Sequence, residues 1–220
     1  MIVVGLLSLA VTVLILRVLF VWKRIHENRK NGTILNRRGV RSFPRRTLII
    51  LGSGGHTTEL LSMTKHLEPS LYKPIIYCKA ESDTTSDDRL RSLHGPGRTV
   101  HDLPRAREVG QSYFSSIGTT LYAFWFAAYR VWFEWKPELV LCNGPGTCIP
   151  ICAAALLGHI LWGRQCPIVF VESFCRVETL SLTGRLLYYS CADLFVVHWE
   201  QLQRRYPRSI VTTAIVAPPR

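Results

Sequence analysis

The stretch "LGSGGHTTELL" (residues 51–61) places a histidine among glycine and hydroxyl residues, directly after an apolar run. Its three glycines allow the backbone to approach a ligand closely, and the helix predicted to follow would direct free amides and a positive dipole end at a diphosphate. A neutral imidazole at His56 could accept a proton from a hydroxyl near pH 7, which makes His56 the candidate catalytic residue. The predicted substrate contacts in this loop are Gly52, Ser53, Gly54, Gly55 and Thr57.

A purely structural interpretation of the same stretch stays open at this point. The glycines could serve only for packing, with His56 capping the helix and Glu59 folding back as a capping partner. Two known phosphate loops do not match. A Walker loop would need a lysine, and Thr57 replaces the third glycine of the dinucleotide fingerprint. Cys78 and Lys79 stand where that fingerprint expects an acidic ribose ligand, so a membrane-bound nicotinamide reductase is only an alternative.

A second glycine-rich corner occurs in "VLCNGPGTCIP" (140–150), again between an apolar run and an apparent helix. Two such turns at the carboxyl ends of parallel strands converge on one crevice, which favours the functional interpretation. The predicted contacts from this corner are Asn143, Gly144, Gly146 and Thr147. Glu172 ends another apolar run and is expected to point into the same crevice. Arg105 and Arg107 could neutralise phosphate, or could be solvated loop charges.

The elements that must position these residues alternate along the chain. Apolar runs predict strands at 47–51, 72–78, 98–103, 138–142, 167–172 and 193–197, with helical segments between them. This alternation predicts an α/β fold with a Rossmann-like parallel sheet covered on both faces.

A long aromatic segment at 113–135 has helical periodicity, and residues 112–129 carry no charge. That length could span a membrane, but a span there would place the strands on its two sides across the bilayer from each other. We therefore expect a helix packed on the sheet. An ordinary core helix and a helix that touches the bilayer through its aromatics both remain open, with a second span as the third alternative.

Residues 1–22 are apolar except at Arg17 and are long enough to cross a bilayer as a single helix. Arg17 could extend to the headgroups, and Trp22 suits the interface. Residues 23–46 carry nine Lys or Arg against Glu27 alone, so the positive-inside rule predicts that the domain faces the cytosol. A cleaved signal peptide would instead have its basic residues before the apolar run. Anionic lipid is the expected contact of this arm, not nucleic acid.

The seven cysteines are odd in number and include no CxxC pair, which indicates reduced and mostly buried thiols. No zinc pattern or HExxH spacing is present, so neither a metal nor a cofactor is expected.

Four long motifs resemble one family closely: "GSGGHTTELL", "PRAREV", "LVLCNGPGTCIPICAAALL" and "VESFCRVETLSLTGRLLYY". They are similar to the membrane-anchored subunit of the eukaryotic UDP-N-acetylglucosamine transferase of dolichol-linked oligosaccharide synthesis. The resemblance runs from the anchor to about Ser209. More distantly, the two glycine corners and the strand ending in glutamate resemble the acceptor half of the bacterial transferase that makes lipid II, a GT-B enzyme.

The resemblance implies the amino-terminal half of a split GT-B glycosyltransferase. A small cytosolic subunit would hold UDP-GlcNAc, and the pair would add the second GlcNAc to GlcNAc-diphosphate-dolichol, with His56 as the candidate general base. Only 23 residues follow the strand at 193–197, which agrees with a missing donor half. The chain is expected to be inactive alone. A recruiter that docks the catalytic partner without doing chemistry is the alternative.

The domain organisation follows from these expectations. It comprises an anchor (1–22), a basic arm (23–46), the Rossmann-like domain (47–208) and a tail (209–220) that could dock the partner. The predicted location is the endoplasmic reticulum membrane, single-pass, with the nuclear envelope as a further candidate.

Overall fold

The computed structural model describes residues 2–31, 45–65, 67–68, 70–94, 99–106, 111–112, 114–144 and 146–212. A long helix, α1 (Ile2–Asn31), precedes an α/β domain. The strands of this domain are β1 (Thr47–Ile50), β2 (Ile75–Ala80), β3 (Val100–Leu103), β4 (Leu139–Asn143), β5 (Ile168–Val171), β6 (Leu194–Val197) and β7 (Ile210–Val211). Its helices are α2 (Gly55–Thr64), α3 (Ser86–His94), α4 (Ser116–Tyr129), α5 (Cys148–Trp162), α6 (Leu182–Tyr189) and α7 (Glu200–Arg205).

The seven strands form one parallel sheet in the order β3-β2-β1-β4-β5-β6-β7. This order contains the doubly wound Rossmann arrangement, in which the chain leaves β1 toward one edge and returns at β4 to build the other. The predicted α/β class and parallel sheet are confirmed. The six predicted strands occur with ends shifted by at most three residues, and β7 was not predicted.

Both faces of the sheet are buried, as the continuous apolar strands indicated. Successive side chains of a strand point to opposite faces. On β1, Leu48 and Ile50 belong to the cluster under α4 and α5, whereas Ile49 and the adjacent Leu51 pack with Leu60 of α2 on the other face. The strand is therefore held by apolar contacts on two sides, which fixes the position of the loop that follows it.

Helix α1 continues to Asn31, beyond the predicted anchor boundary at 22. At 1.5 Å per residue its 30 residues extend about 45 Å, more than the roughly 30 Å of a bilayer core. Within the described part of the chain it is the one helix long and apolar enough to cross a membrane. Near its end Val21 and Ile25 are buried, and the Arg17 guanidinium donates to the Leu161 carbonyl at 3.0 Å instead of extending toward headgroups.

Helix α4 continues as a π-helical stretch, Arg130–Trp135, and matches the predicted aromatic segment. The preceding strand β3 and the following strand β4 lie in the same sheet, so α4 does not cross a membrane. One face, with Ala123 and Ala127, is buried, and Trp132 donates to the Ala154 carbonyl of α5 at 2.8 Å. The opposite face exposes a row of large apolar residues: Phe114, Ile117, Leu121, Tyr122, Trp125, Tyr129 and Phe133.

The sheet extends past the predicted domain boundary at 208, because Ile210 and Val211 pair with β6. Residues 213–220, most of the predicted tail, lie outside the described residues, as do residues 32–44 of the basic arm. All seven cysteines are free thiols, and five of them are buried.

Leu48→Ala tests the central position of β1. Leu48 is fully buried, so its truncation should lower the free energy of unfolding by about 2–5 kcal/mol. The measurement is denaturant unfolding of the full chain in detergent micelles. The control is Leu186→Ala, which makes the same chemical change at a position that is 49% exposed and should stay within about 0.5 kcal/mol. Equal losses for both variants would contradict the position of β1 in the core.

Candidate functional site

The two glycine corners meet at the switch point of the sheet. β1 and β4 are direct neighbours, with Ile50 opposite Cys142 at their carboxyl ends. The loop at 51–54 and the loop at 144–147 therefore start side by side, and the end of β5 lies next to β4. This is the location at which open α/β sheets bind their ligands.

His56 lies in the first turn of α2 and faces the end of β4. Its Nδ1 is 3.0 Å from Oδ1 of Asn143, and its side chain is 37% exposed. Gly144 follows with φ of 71°, and a Cβ at this position would lie 2.7 Å from the His56 ring. The second corner therefore has a glycine here both for its backbone conformation and to leave space for the imidazole.

Glu59, one turn further along α2, connects this helix to the ends of β4 and β5. Its Oε2 accepts from Nδ2 of Asn143 at 3.0 Å and lies 3.8 Å from Nδ1 of His56, while its Oε1 accepts from Ser173 at 3.1 Å. Helix α2 has Gly54 as its N-cap residue and no side-chain capping bond, so the expected alternative of Glu59 as a capping partner is wrong.

These contacts place the His56 ring beside the Glu59 carboxylate, so that each group changes the pKa of the other. The Glu59 carboxylate beside the ring raises the pKa of His56, although burial acts in the opposite direction. Burial would raise the pKa of Glu59, but the nearby His56 ring and the hydrogen bonds from Asn143 and Ser173 lower it below its ordinary value. The imidazole therefore holds its proton to a higher pH than a free histidine, and the carboxylate stays charged to a lower pH.

Glu172 does not point into the crevice as expected. Its side chain is fully buried, and its carboxylate accepts from the Ser173 amide and from the amide and hydroxyl of Ser181. Gly184 lies so close to this carboxylate that a Cβ there would collide with it. Burial raises the pKa of Glu172. The residue thus connects β5 to the start of α6 beneath the crevice.

The first glycine loop is supported from below by hydroxyl groups. Thr57 is fully buried and donates to the Gly52 carbonyl, and its hydroxyl lies 2.7 Å from that of Ser86, which also bonds Gly52 at 2.9 Å. The predicted substrate contact Thr57 therefore faces the loop backbone. On the outer side, Arg89 of α3 donates to the Gly54 carbonyl and to Thr58, which places a cation beside the loop.

The remaining predicted substrate contacts differ in their exposure and in their position along the sheet. Ser53, Gly55 and Gly146 are exposed, and Thr147 is the half-buried N-cap residue of α5. Arg105 follows β3, two strands away from β1 and thus about 10 Å along the edge of the sheet. Arg107 lies outside the described residues.

Two residues of this network were not among the predicted site residues: Glu59 and Ser173. The available signal for Glu59 was its spacing of three positions from His56, which places both on one face of a helix. Ser173 directly follows a predicted strand, but its partner lies 114 positions earlier in the chain. No group of three His, Cys, Asp or Glu among the described residues is arranged to hold a metal ion.

The fold resembles two solved structures. Acinetobacter baumannii MurG matches with a TM-score of 0.54 at 16% identity, over 77% of this chain and 44% of MurG. The UDP-GlcNAc 2-epimerase of Neisseria meningitidis, solved with UDP-GlcNAc, matches with a TM-score of 0.52 at 16% identity, over 76% of this chain and 46% of the epimerase. This chain thus spans less than half the length of either. Sheet and crevice together define a Rossmann-like half of the GT-B type.

Residues 47–215 match the family described as "Oligosaccharide biosynthesis protein Alg14 like". Proteins named UDP-N-acetylglucosamine transferase subunit ALG14 are similar over most of their length. The mouse protein is 46% identical over 183 residues (78% of this chain, 83% of the mouse protein), and the human protein is 43% identical over 183 residues (77% and 82%). The Yarrowia lipolytica protein is 38% identical over 168 residues (74% and 77%). The chain belongs to the Alg14 family, which confirms the resemblance stated from its motifs.

Gly144→Ala tests the close approach of the second corner to His56. The added methyl should displace the imidazole and also cost about 1–2 kcal/mol for the positive φ. We expect a changed His56 resonance in the NMR spectrum together with modest destabilisation. The control is Gly163→Ala, which has a φ of 69° and meets only Arg17 at 3.4 Å. It should cost similar stability and leave the His56 resonance in place. An unchanged His56 resonance in Gly144→Ala would contradict the packing described.

Proposed function

We propose that this chain is the membrane-anchoring, acceptor-side subunit of a UDP-GlcNAc transferase that adds the second GlcNAc to GlcNAc-diphosphate-dolichol. The observation that carries the proposal is the family match over a single Rossmann-like unit that spans less than half of MurG. The similar mouse and human proteins are named as transferase subunits, which supports an obligatory partner. We infer that a small cytosolic subunit contributes the wall that holds UDP-GlcNAc, and that this chain is inactive without it.

The crevice offers a place for the acceptor diphosphate. The first loop and the start of α2 present backbone amides and a positive dipole end, and Arg89 adds a cation beside Gly54. From the second corner, Gly146 is exposed and Thr147 is the N-cap residue of α5. We assign the diphosphate to the space between these two loops.

His56 is the proposed general base. In the reaction, the acceptor hydroxyl oxygen attacks C1 of the donor sugar, the bond from C1 to UDP breaks, and the hydroxyl proton passes to the imidazole. Inversion follows from this single displacement, and no covalent intermediate on the protein is needed. The exposure of 37% leaves the ring accessible from the crevice.

Two alternative functions predict different observations. A recruiter without chemistry would not need His56 in its network with Asn143 and Glu59. A nicotinamide reductase would need an acidic ribose ligand at the end of β2. The structure extends β2 to Ala80, so Glu81 stands at that end. The reductase is disfavoured instead by the first glycine loop, in which Thr57 replaces the third glycine of the dinucleotide fingerprint.

Membrane attachment has two proposed contributions. Helix α1 supplies the span, with the domain on the cytosolic face of the endoplasmic reticulum, and the nuclear envelope is a further candidate location. The exposed row on α4 is rich in aromatics, and such side chains favour the membrane interface. Both α1 and α4 pack against α5, so we propose that this row faces the same bilayer.

His56→Ala tests the proposed base. Co-expressed with the partner, the variant should assemble normally and lose about 10²–10⁴-fold of the GlcNAc transfer rate, because a general base contributes on that scale. Assembly is measured by co-purification, and transfer by the product formed from GlcNAc-diphosphate-dolichol. An assembled variant with undiminished transfer would leave only the recruiter function.

Deletion of residues 1–22 tests the anchor. Transfer to full-length dolichol acceptor in membranes should fall about 10²-fold, because the protein would no longer share the membrane with its acceptor. Transfer to a short-chain acceptor in detergent should be retained. As a control, an unrelated apolar helix replaces residues 2–16 and leaves Arg17 and Val21 in place. This replacement should preserve both activities. Full membrane activity after the deletion would contradict the role of the anchor.

A further inference from the structure

We infer that Glu59 is a positioning residue that fixes the tautomer of His56 through Asn143. In this tautomer the proton is on Nδ1 and the lone pair is on Nε2. The catalytic consequence rests on the proposed function, since it requires His56 to be the base. The tautomer itself does not, because it follows from hydrogen bonds inside this chain.

A charged carboxylate determines the direction of each bond in the network. An ionised carboxylate only accepts, so the side-chain amide of Asn143 must turn its NH₂ group toward Glu59, at 3.0 Å. Oδ1 of Asn143 is then the atom that faces His56, at 3.0 Å from Nδ1. An amide oxygen also only accepts, so Nδ1 must carry the hydrogen. In the neutral ring, Nε2 is therefore the unprotonated atom that can take a proton.

The carboxylate of Glu59 is itself held in place. Ser173 donates to its Oε1 at 3.1 Å and is 5% exposed, so this contact comes from a buried position two residues after the end of β5. The Glu59 side chain is only 24% exposed. Asn143 of β4 bonds one carboxylate oxygen and Ser173 after β5 bonds the other, so rotation of the Glu59 carboxylate is restricted.

Other charged groups face this pair. Glu172 lies beneath Ser173 and also raises the pKa of His56, as the weakest of the contributions. Arg176 interacts with Glu172, and Arg89 lies on the far side of the loop at Gly54. His198, after β6, interacts with Glu59, and burial lowers the pKa of His198, which favours its uncharged form. Glu59 is therefore the dominant charge acting on His56.

Glu59→Gln removes the charge and the directional constraint with little change in size. A glutamine amide can donate or accept, so Asn143 can rotate and both tautomers of His56 become available. The pKa of His56 should fall, because the carboxylate that raised it is gone. The control is Glu68→Gln. Glu68 is an exposed residue between α2 and β2, near the amino ends of the strands, and it accepts a hydrogen bond from Ser70 at 2.9 Å.

The direct test is ¹⁵N NMR of histidine-labelled full chain in micelles, with His56 assigned from the His56→Ala spectrum. Above its pKa, wild-type His56 should show a protonated Nδ1 and an unprotonated Nε2. Glu59→Gln should show a lower pKa and a mixture of tautomers, and Glu68→Gln should match the wild type. A wild-type ring protonated at Nε2, or a Glu59→Gln spectrum equal to the wild type, would overturn the inference.

The catalytic test uses the assembled transferase. Glu59→Gln should lower kcat by about 10- to 100-fold, the scale found for groups hydrogen-bonded behind metal-binding histidines, without changing KM for UDP-GlcNAc. In the pH profile of kcat, the fall in rate on the acid side should occur at lower pH for Glu59→Gln than for the wild type, because a histidine of lower pKa loses its proton at lower pH. If Glu59→Gln gave less folded protein, and the folded fraction had the same pH profile of kcat as the wild type, Glu59 would have only a structural role. That result would overturn the positioning role. Activity in His56→Ala would refute the proposed base, while the NMR result would still decide the tautomer.

Discussion

Parallel pairing of β1 with β4 is the contact on which the site depends. It places Ile50 and Cys142 opposite each other, so that two loops separated by about 90 positions in sequence begin side by side. Both strands are buried on two faces. Residues at the ends of such rigid strands are positioned more precisely than residues within loops. A shift of register between these strands would separate His56 from Asn143 and remove the crevice.

Around this junction, a small polar network joins three strand ends. His56 and Glu59 come from the helix after β1, Asn143 from the end of β4, and Ser173 from the loop after β5. Such a network is strengthened because its hydrogen bonds are partly shielded from water. Gly144 contributes by having no side chain, which lets the imidazole pack against the backbone. The site is thus defined as much by an absent Cβ as by the groups that bond.

The proposed anchor, helix α1, is attached to the same body as the site. Val21 and Ile25 pack into the domain, and Arg17 bonds the carbonyl end of α5, so α1 is attached to the body by side chains on its carboxyl-terminal part. The aromatic row of α4 lies on a helix that packs against the same α5. A lipid-borne acceptor would meet a crevice whose distance from the bilayer is limited by the protein itself.

The sequence by itself determined the α/β class, six of the seven strands, the apolar amino-terminal helix and the two glycine corners, because these are local patterns of apolar periodicity and backbone freedom. It also made His56 and Asn143 candidates. It could not reveal that Glu59 and Ser173 bond each other, that Glu172 turns beneath the crevice, or that β7 extends the sheet. Those facts depend on contacts between residues as much as 114 positions apart, and only the packed sheet brings such residues within hydrogen-bond distance. Side-chain direction at a strand end is decided by the partners that tertiary structure supplies, whereas strand and helix periodicity is present in the chain before it folds.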